Sequence, residues 1–318
     1  MASRMTGARV DRLWHYPVKS MMGEEVPEVT MGLGGVVGDR AYGFLDVETG
    51  KVASAKRPKR YGALMQCRAR YLSPPRPDAP APPIEVAFPD GTVVRDDLPE
   101  LARRVTALLG RDVSPLTSAP KGASAELAMP GIADADPGPL KALFREEGGE
   151  QVRDFNVGMA APGTMFDIAA LHVIAGSTLH GLAGRYPAGD WDPRRLRPNI
   201  LIDDGGELRE EDDWLGCHLH IGTEVVVHVF MPVPRCVMTT LPQPGLPKDL
   251  GVLKTIARFG RKQIGPLGQV ACAGSYANVI RPGVVRAGDP VVLERVEPRE
   301  DALATVIEKI SANSGDQP

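Results

Sequence analysis

Thr223-Glu-Val-Val-Val-His-Val-Phe230 runs into Met231-Pro-Val-Pro-Arg-Cys-Val-Met-Thr-Thr240. The first part is β-branched and ends in an aromatic, the composition of a strand. Pro232 and Pro234 are expected to stop that strand, because proline donates no ladder hydrogen bond and fixes φ. Cys236 then falls in a stiff turn at a strand end, next to Arg235 and ahead of two hydroxyls, Thr239 and Thr240. A neighbouring cation favours the thiolate, the form of cysteine that binds metals and attacks electrophiles. The competing reading is a small buried apolar residue, the commoner fate of a single cysteine.

The same alternation of short strand and glycine or proline turn extends in both directions. Among 318 residues there are 35 Gly and 30 Pro, with only 5% aromatics. That composition points to many turns between short strands, in a chain that is mainly β with some helix (α+β). Upstream, Ala8–Tyr16 reads as a first strand ended by Pro17. Leu33–Arg40 is a glycine-rich turn, and Gly34 and Gly35 in it, with Gly32 just before it, read as hairpin glycines. Ala41–Val47 and Lys51–Ala55 form a hairpin, and Ala63–Leu72 is a further strand. Ile84–Phe88 and Thr92–Arg95 pair over Pro89-Asp90-Gly91. Asp97 caps a helix that runs to Gly110, with Leu101, Val105, Leu108 and Leu109 on one face. Ser118–Gly149 shows little pattern and reads as a long connection. Beyond it, a strand ending near Ala175 gives way to a helix from Ser177, and Ile200–Ile202 is a short buried strand. Cys217–Ile221 precedes the opening stretch, and Lys248–Phe259 follows it as a helix. Gly274–Ile280 and Val291–Val296 are strands. Asp301 is expected to cap a terminal helix, Ala302–Ser311.

Hydrophobic residues at 43%, charged residues at 24% and a net charge of −3 describe an ordinary globular chain. Nothing global points to nucleic acid or an anionic membrane. No stretch has the length of a membrane span and no N-terminal apolar core is present, so a cytoplasmic location is expected. The four cysteines, Cys67, Cys217, Cys236 and Cys272, make no C-x-x-C pair. A zinc ribbon or cysteine-ligated cluster is therefore not expected.

Lys19, Arg40 and Arg197 sit at strand ends. Arginine grips phosphate through a planar fork and lysine through a point charge. Ser20 and Asn199 add neutral hydrogen bonds. Taken alone, each cation reads first as a solvated surface charge; convergence of strand ends on one rim would make it a site. His218 and His220 share one strand face, which suits either a zinc pair or a half-exposed face. The acidic run Glu210–Asp213 reads as a solvated loop. Cys236 with one of the histidines would suit acyl transfer, but no spacing pairs them.

Taken in order, five segments carry a family resemblance. Leu13-Trp-His-Tyr-Pro-Val-Lys-Ser20 and Gly38-Asp-Arg40 resemble the opening motifs of MOSC N-terminal β-barrel domains. Arg197-Pro-Asn199, Pro234-Arg-Cys236-Val-Met-Thr-Thr240 and Gly288-Asp-Pro290 resemble the MOSC domain itself. The whole is similar to the mitochondrial amidoxime-reducing component and its bacterial relatives over Ala8–Leu293. The resemblance implies a MOSC N-terminal β-barrel domain over 6–120 and a connection over 121–150. A MOSC β-barrel domain over 151–297 and a terminal helix and tail over 298–318 would follow.

It also implies a molybdenum-pterin cofactor (Moco) with Cys236 as metal ligand and catalytic centre. Lys19, Ser20, Arg40, Arg197, Asn199 and Arg235 would bind the cofactor. A pyridoxal phosphate label travels with the family as well. Two departures stand out: Pro234 replaces a serine of animal relatives, and Ile168 and Ala169 replace hydroxyl residues after Asp167. The implied activity is reduction of a small N-hydroxylated or other N-oxygenated substrate. Electrons would come from a separate ferredoxin-, cytochrome- or flavin-type donor, because no ferredoxin or sulfurase domain is seen in the chain. The alternatives are a non-catalytic carrier of cofactor or sulfur through Cys236, then metal-free acyl transfer, then a purely structural role. The site is expected between the halves, since Lys19 and Arg40 belong to one and Arg197 and Cys236 to the other.

Overall fold

The computed structural model describes residues 7–129, 131, 141, 143–158, 163–205, 214–265 and 268–296. The acidic run Glu210–Asp213 and the expected helix after Asp301 lie outside the described residues. Short strands dominate, with a few helices between them.

One long sheet organises the molecule. Leu171–Ala175 is buried at every position and reads VIA-like because both its faces are covered. It pairs in parallel with Ile200–Asp203 on one side and antiparallel with Gln269–Arg281 on the other. Outward from Gln269–Arg281 come Val225–Pro234, Cys217–Ile221 and Val291–Arg295. At the other end Ile200–Asp203 pairs with Arg9–His15, a strand from the very start of the chain. A second exchange joins Glu28–Gly32 to Gly283–Arg286. Residues of both halves therefore share one core: Leu13, Val29 and Met31 pack with Val173, Val227 and Val285.

The local signals act as their chemistry dictates. The Asp97 carboxylate accepts from the Glu100 amide at 2.8 Å and opens the helix Leu98–Leu109. Gly110 ends it in the left-handed region, where a Cβ would be strained. Leu101 and Val105 bury the inner face beside Phe44, Leu64 and Val86. The helix Gly176–Arg185 follows its strand directly. Gly32 and Gly35 pair across a tight hairpin.

Four expectations are corrected. Pro232 does not stop its strand: Val225–Pro234 continues through it, pairing Pro232 with Ser275, and ends only at Pro234, whose partner is Cys272. The register shifts beside each proline, so the missing amide falls at a bulge and leaves no gap in the ladder. The segment after Ser118 is not patternless chain: Ser124–Ala128, Glu150–Asn156 and Arg145–Glu147 form a three-stranded sheet. Its inward residues include Ala125 and Ala128, too small to give a hydrophobic alternation, and it is fastened by charge. Buried Glu126 takes Arg57, together with Lys51 and Arg60 at 3.1 Å. Finally, Gly62–Gln66 is a 3-10 turn, so the strand after it spans only Arg68–Tyr71. The hairpin expected at Lys51–Ala55 is reduced to a bridge between Leu45 and Val52, and Gly43–Asp46 pairs mainly with Val113–Leu116.

No helix among the described residues is long and apolar enough to cross a membrane.

Candidate functional site

Three of the five described non-glycine residues with positive φ are Ser20 (66°), Arg40 (51°) and Arg197 (55°). Side-chain-bearing residues avoid this region, and where they are held in it the surroundings impose the strain. All three line a single open cleft.

Asp39 fixes one wall. Its fully buried carboxylate accepts from the Tyr16 amide at 2.7 Å, from the Arg40 guanidinium, and from Asn199 Nδ2 at 3.1 Å. Burial pulls the Arg40 pKa down, but Asp39, Tyr16, Asp167 and Tyr276 together outweigh it and hold that pKa above the ordinary value. Tyr16 lies between two arginines, with Arg197 Cζ 4.3 Å and Arg40 Cζ 4.9 Å from its ring centroid. Two cations on one ring are placed by π-attraction where mutual repulsion would part them. The Arg197 guanidinium also donates to the Met21 carbonyl at 2.7 Å. Burial, with Arg40 next, lowers Arg197 to about 10, well within its charged range at neutral pH.

Asp167 fixes the opposite wall. Its two oxygens take the buried Lys19 ammonium and, at 2.7 Å, the Lys56 ammonium. Burial alone would raise Asp167, but the two lysines hold it well below the usual carboxylate range. Burial lowers Lys19 to about 8, with Asp167 offsetting part of that effect. Anion affinity of the empty cleft is therefore expected to fall as pH rises through about 8, as Lys19 gives up its charge. Titration calorimetry with inorganic pyrophosphate from pH 7 to 9 should show this inflection in the native protein. Lys19→Arg should flatten it, because arginine stays charged throughout. An unchanged profile in that variant would assign the inflection elsewhere.

Cys236 closes the cleft. Its backbone is extended, and the turn Val237–Thr240 follows immediately. The Cys236 carbonyl accepts from the Thr239 amide at 3.2 Å and from Thr239 Oγ1 at 3.1 Å, so the thiol projects from a pinned peptide. Arg235 beside it donates to the Leu196 carbonyl at 2.6 Å. Ser20 Oγ accepts from the Ala55 amide at 3.0 Å. Asn199 uses its side chain on the framework, accepting from the His172 amide and donating to Trp14 and Asp39.

All seven residues singled out in the sequence thus line one cleft: Lys19, Ser20, Arg40, Arg197, Asn199, Arg235 and Cys236. The cleft also contains residues that sequence reasoning did not assign: Lys56, His172, Arg195 and Tyr276. No signal marked them, since Lys56 and Arg195 stand in ordinary basic runs and His172 in an apolar strand. Six cations thereby face one carboxylate across the cleft, the lining of an anion site.

Two buried polar atoms there, His172 Nε2 and Arg195 Nη1, have no hydrogen-bond partner. Buried polar groups are normally satisfied, so such orphans mark places where a ligand supplies the bond. Burial, with Arg235 next, keeps His172 well below its usual pKa and neutral. His172 Nδ1 lies 3.3 Å from the Arg197 carbonyl, which assigns the proton to Nδ1 and leaves Nε2 an acceptor. Gly274, at φ 82°, is required beside it: a Cβ there would come within 2.1 Å of Nε2.

The two departures behave differently. Ile168 packs with Phe230, Met231 and Cys272, away from any polar role, whereas Ala169 and Pro234 line the cleft. Away from the cleft, His220 bonds Glu294 at 2.6 Å and His218 stacks edge-on against His228. Among the described residues no group of three or more His, Cys, Asp or Glu is arranged to hold a metal.

A family model described as the MOSC N-terminal beta barrel domain matches residues 7–73, and one described as the MOSC domain matches residues 163–292. The chain is a MOSC-domain protein, with the N-terminal barrel domain preceding the MOSC domain. Among solved structures it is similar to the YUAD protein from Bacillus subtilis, at 12% identity over 93% of this chain and 100% of that one, with a TM-score of 0.42. It is also similar to YiiM from Geobacillus stearothermophilus, at 24% identity over 44% of this chain and 60% of that one, with a TM-score of 0.28. For YiiM from Escherichia coli the figures are 19%, 45%, 62% and 0.27. No curated protein matches the chain. Neither family description names pyridoxal phosphate, and that label is withdrawn.

Proposed function

We propose that this chain is a molybdenum-cofactor oxidoreductase that reduces N-hydroxylated or other N-oxygenated compounds, using electrons from a separate donor protein. MOSC domains are associated with molybdenum-cofactor sulfurase-like proteins. The observation that carries the reading is the convergence of a thiol, six cations and two orphaned buried polar atoms on one cleft. These residues suit a molybdenum-pterin. Cys236 offers the soft thiolate that such a metal takes. Among the described residues there is no cluster of further protein ligands, an arrangement compatible with a metal that brings its own dithiolene. Lys19, Lys56, Arg40 and Arg197 suit the phosphate, and the His172 acceptor suits an N–H of the pterin.

When bound, the cofactor would supply a metal that takes up two electrons and passes them to an N–O bond. The net reaction converts N–OH, two electrons and two protons into N–H and water. The protein's own part is position and field. Arg40 and Arg197 are held by Tyr16, Asp39 and the Met21 carbonyl, so they need no reorganisation to meet an anion. Asp167 keeps Lys19 and Lys56 fixed while leaving the cleft positive.

The test is turnover. Protein made in a host competent for cofactor synthesis is reduced with dithionite, freed of excess reductant and mixed with an amidoxime or a hydroxylamine. Re-oxidation with one N–H product per two electrons is expected. A centre that stays reduced across a broad panel of N-oxygenated compounds would favour the carrier role instead.

A further inference from the structure

From Leu250 to Gly288 the chain holds six Lys and Arg and not one Asp or Glu, although the protein as a whole is net −3. The fold gathers part of this excess on one face. On the helix Leu250–Phe259, Val252, Leu253 and Ile256 turn inward. Leu250, Lys254 and Arg258, spaced by four, form the exposed stripe on the other side. Phe259 follows, 47% exposed, with Arg185 and Arg258 guanidinium carbons 5.0 and 5.3 Å from its ring centroid. Arg185 comes from the neighbouring helix Gly176–Arg185, and exposed Arg261 begins the next strand. Asp249, the helix cap, has its carboxylate turned to the Gly251 amide at 2.7 Å and to Tyr186.

This face adjoins the cleft. Ala271 lies between Arg235 on one edge and Arg261 on the other: its carbonyl accepts from the Arg235 amide at 2.8 Å, and it is the ladder partner of Arg261. Two strand spacings put Arg261 about 10 Å from the residue next to Cys236. The helix is tied to the Cys236 turn as well, through the Asp249 amide on the Thr240 carbonyl at 2.9 Å.

We infer that the face formed by Lys254, Arg258, Phe259, Arg261 and Arg185 is the docking surface for a small acidic electron-transfer protein. The inference rests on the redox reading of the cleft. Charge complementarity selects the partner: a ring of cations around one exposed aromatic gives fast, weak and oriented encounter with an acidic surface. Proximity to Cys236 selects a redox protein among acidic partners, since two electrons must reach that cleft from outside. In each turnover the donor is oxidised by two electrons in total, and these electrons with two protons convert N–OH into N–H and water.

The experiment uses the cofactor-loaded full chain and the double variant Lys254→Glu/Arg258→Glu. Three acidic donors serve as probes: a plant-type ferredoxin, a flavodoxin and a small b-type cytochrome. At least one is expected to bind and reduce the native protein, more strongly at low salt. The double variant should lower that donor's rate by about tenfold or more, and Phe259→Ala should lower it further. Dithionite-driven turnover should not change in any variant, which excludes misfolding and cleft damage. An equal donor rate in native and variant proteins, or no salt-sensitive reduction by any probe, overturns the docking surface. Loss of dithionite-driven turnover in the native protein defeats the redox reading itself, a separate outcome. Variant-sensitive sedimentation with phosphatidylserine vesicles, without donor reduction, would reassign the face to a membrane.

Discussion

Replacing Cys236 with serine should strip the protein of molybdenum while leaving its fold intact. The substitution is close to isosteric, and the peptide at 236 is held by its carbonyl through Thr239, not by its side chain. What changes is the donor atom. A hard hydroxyl replaces a soft thiolate in a cleft that offers no second cysteine ligand, because Cys67, Cys217 and Cys272 are all buried. Losing even an outer-shell partner of a metal commonly costs 10- to 100-fold in affinity, so loss of the ligand itself should exceed roughly that range. Mass-spectrometric metal analysis of native and variant proteins made side by side gives the answer, with circular dichroism as the control for folding. Equal molybdenum in both would remove Cys236 from the ligand role.

Asp39→Ala should be the most destabilising change near the site. One buried carboxylate satisfies the Tyr16 amide, the Arg40 guanidinium and the Asn199 side chain together. Its removal leaves a half-buried cation unpaired and two buried donors unsatisfied. Breaking one partner of a buried pair costs about 3–5 kcal/mol. In a chain of this size that corresponds to a fall in melting temperature on the order of 10 °C. Asp39→Asn keeps an acceptor for the Tyr16 amide and should fall between the two. Calorimetric melting of all three proteins, without cofactor, checks the order. An alanine variant that melts with the native protein would show that Asp39 holds nothing together.

Much of this architecture was legible because its signals are local. Asp97 and Gly110 bracket a helix by capping chemistry that acts within four residues, and Pro89-Asp90-Gly91 turns a hairpin in the same way. The strand at Leu171–Ala175 was legible only at its end near Ala175, and its burial at every position came from the structure. The motif residues were legible through resemblance, and the cleft gathers all of them. What escaped depends on the third dimension. A proline reads as a stop unless the bulge that absorbs it is seen, as at Pro232. Ala125 and Ala128 are too small to write a strand pattern. Lys56, Arg195 and His172 become site residues only because the fold brings a turn, a 3-10 helix and a strand, far apart in sequence, to one cleft, with Lys56 on Asp167 and His172 beside Gly274.

The exchange of strands between the two ends of the chain also sets a clock. Arg9 waits for Asp203 as its ladder partner, and Glu28–Gly32 waits for Gly283–Arg286. At roughly 5–20 residues per second of synthesis, the first strand remains without its partner for about 10–40 s. The wall carrying Lys19 and Arg40 therefore cannot meet the wall carrying Arg197 and Cys236 while the ribosome is still at work on the first half. Assembly of the cleft is a late event, and a bulky cofactor can be received only after Arg197, Cys236 and the strands that hold them have left the ribosome.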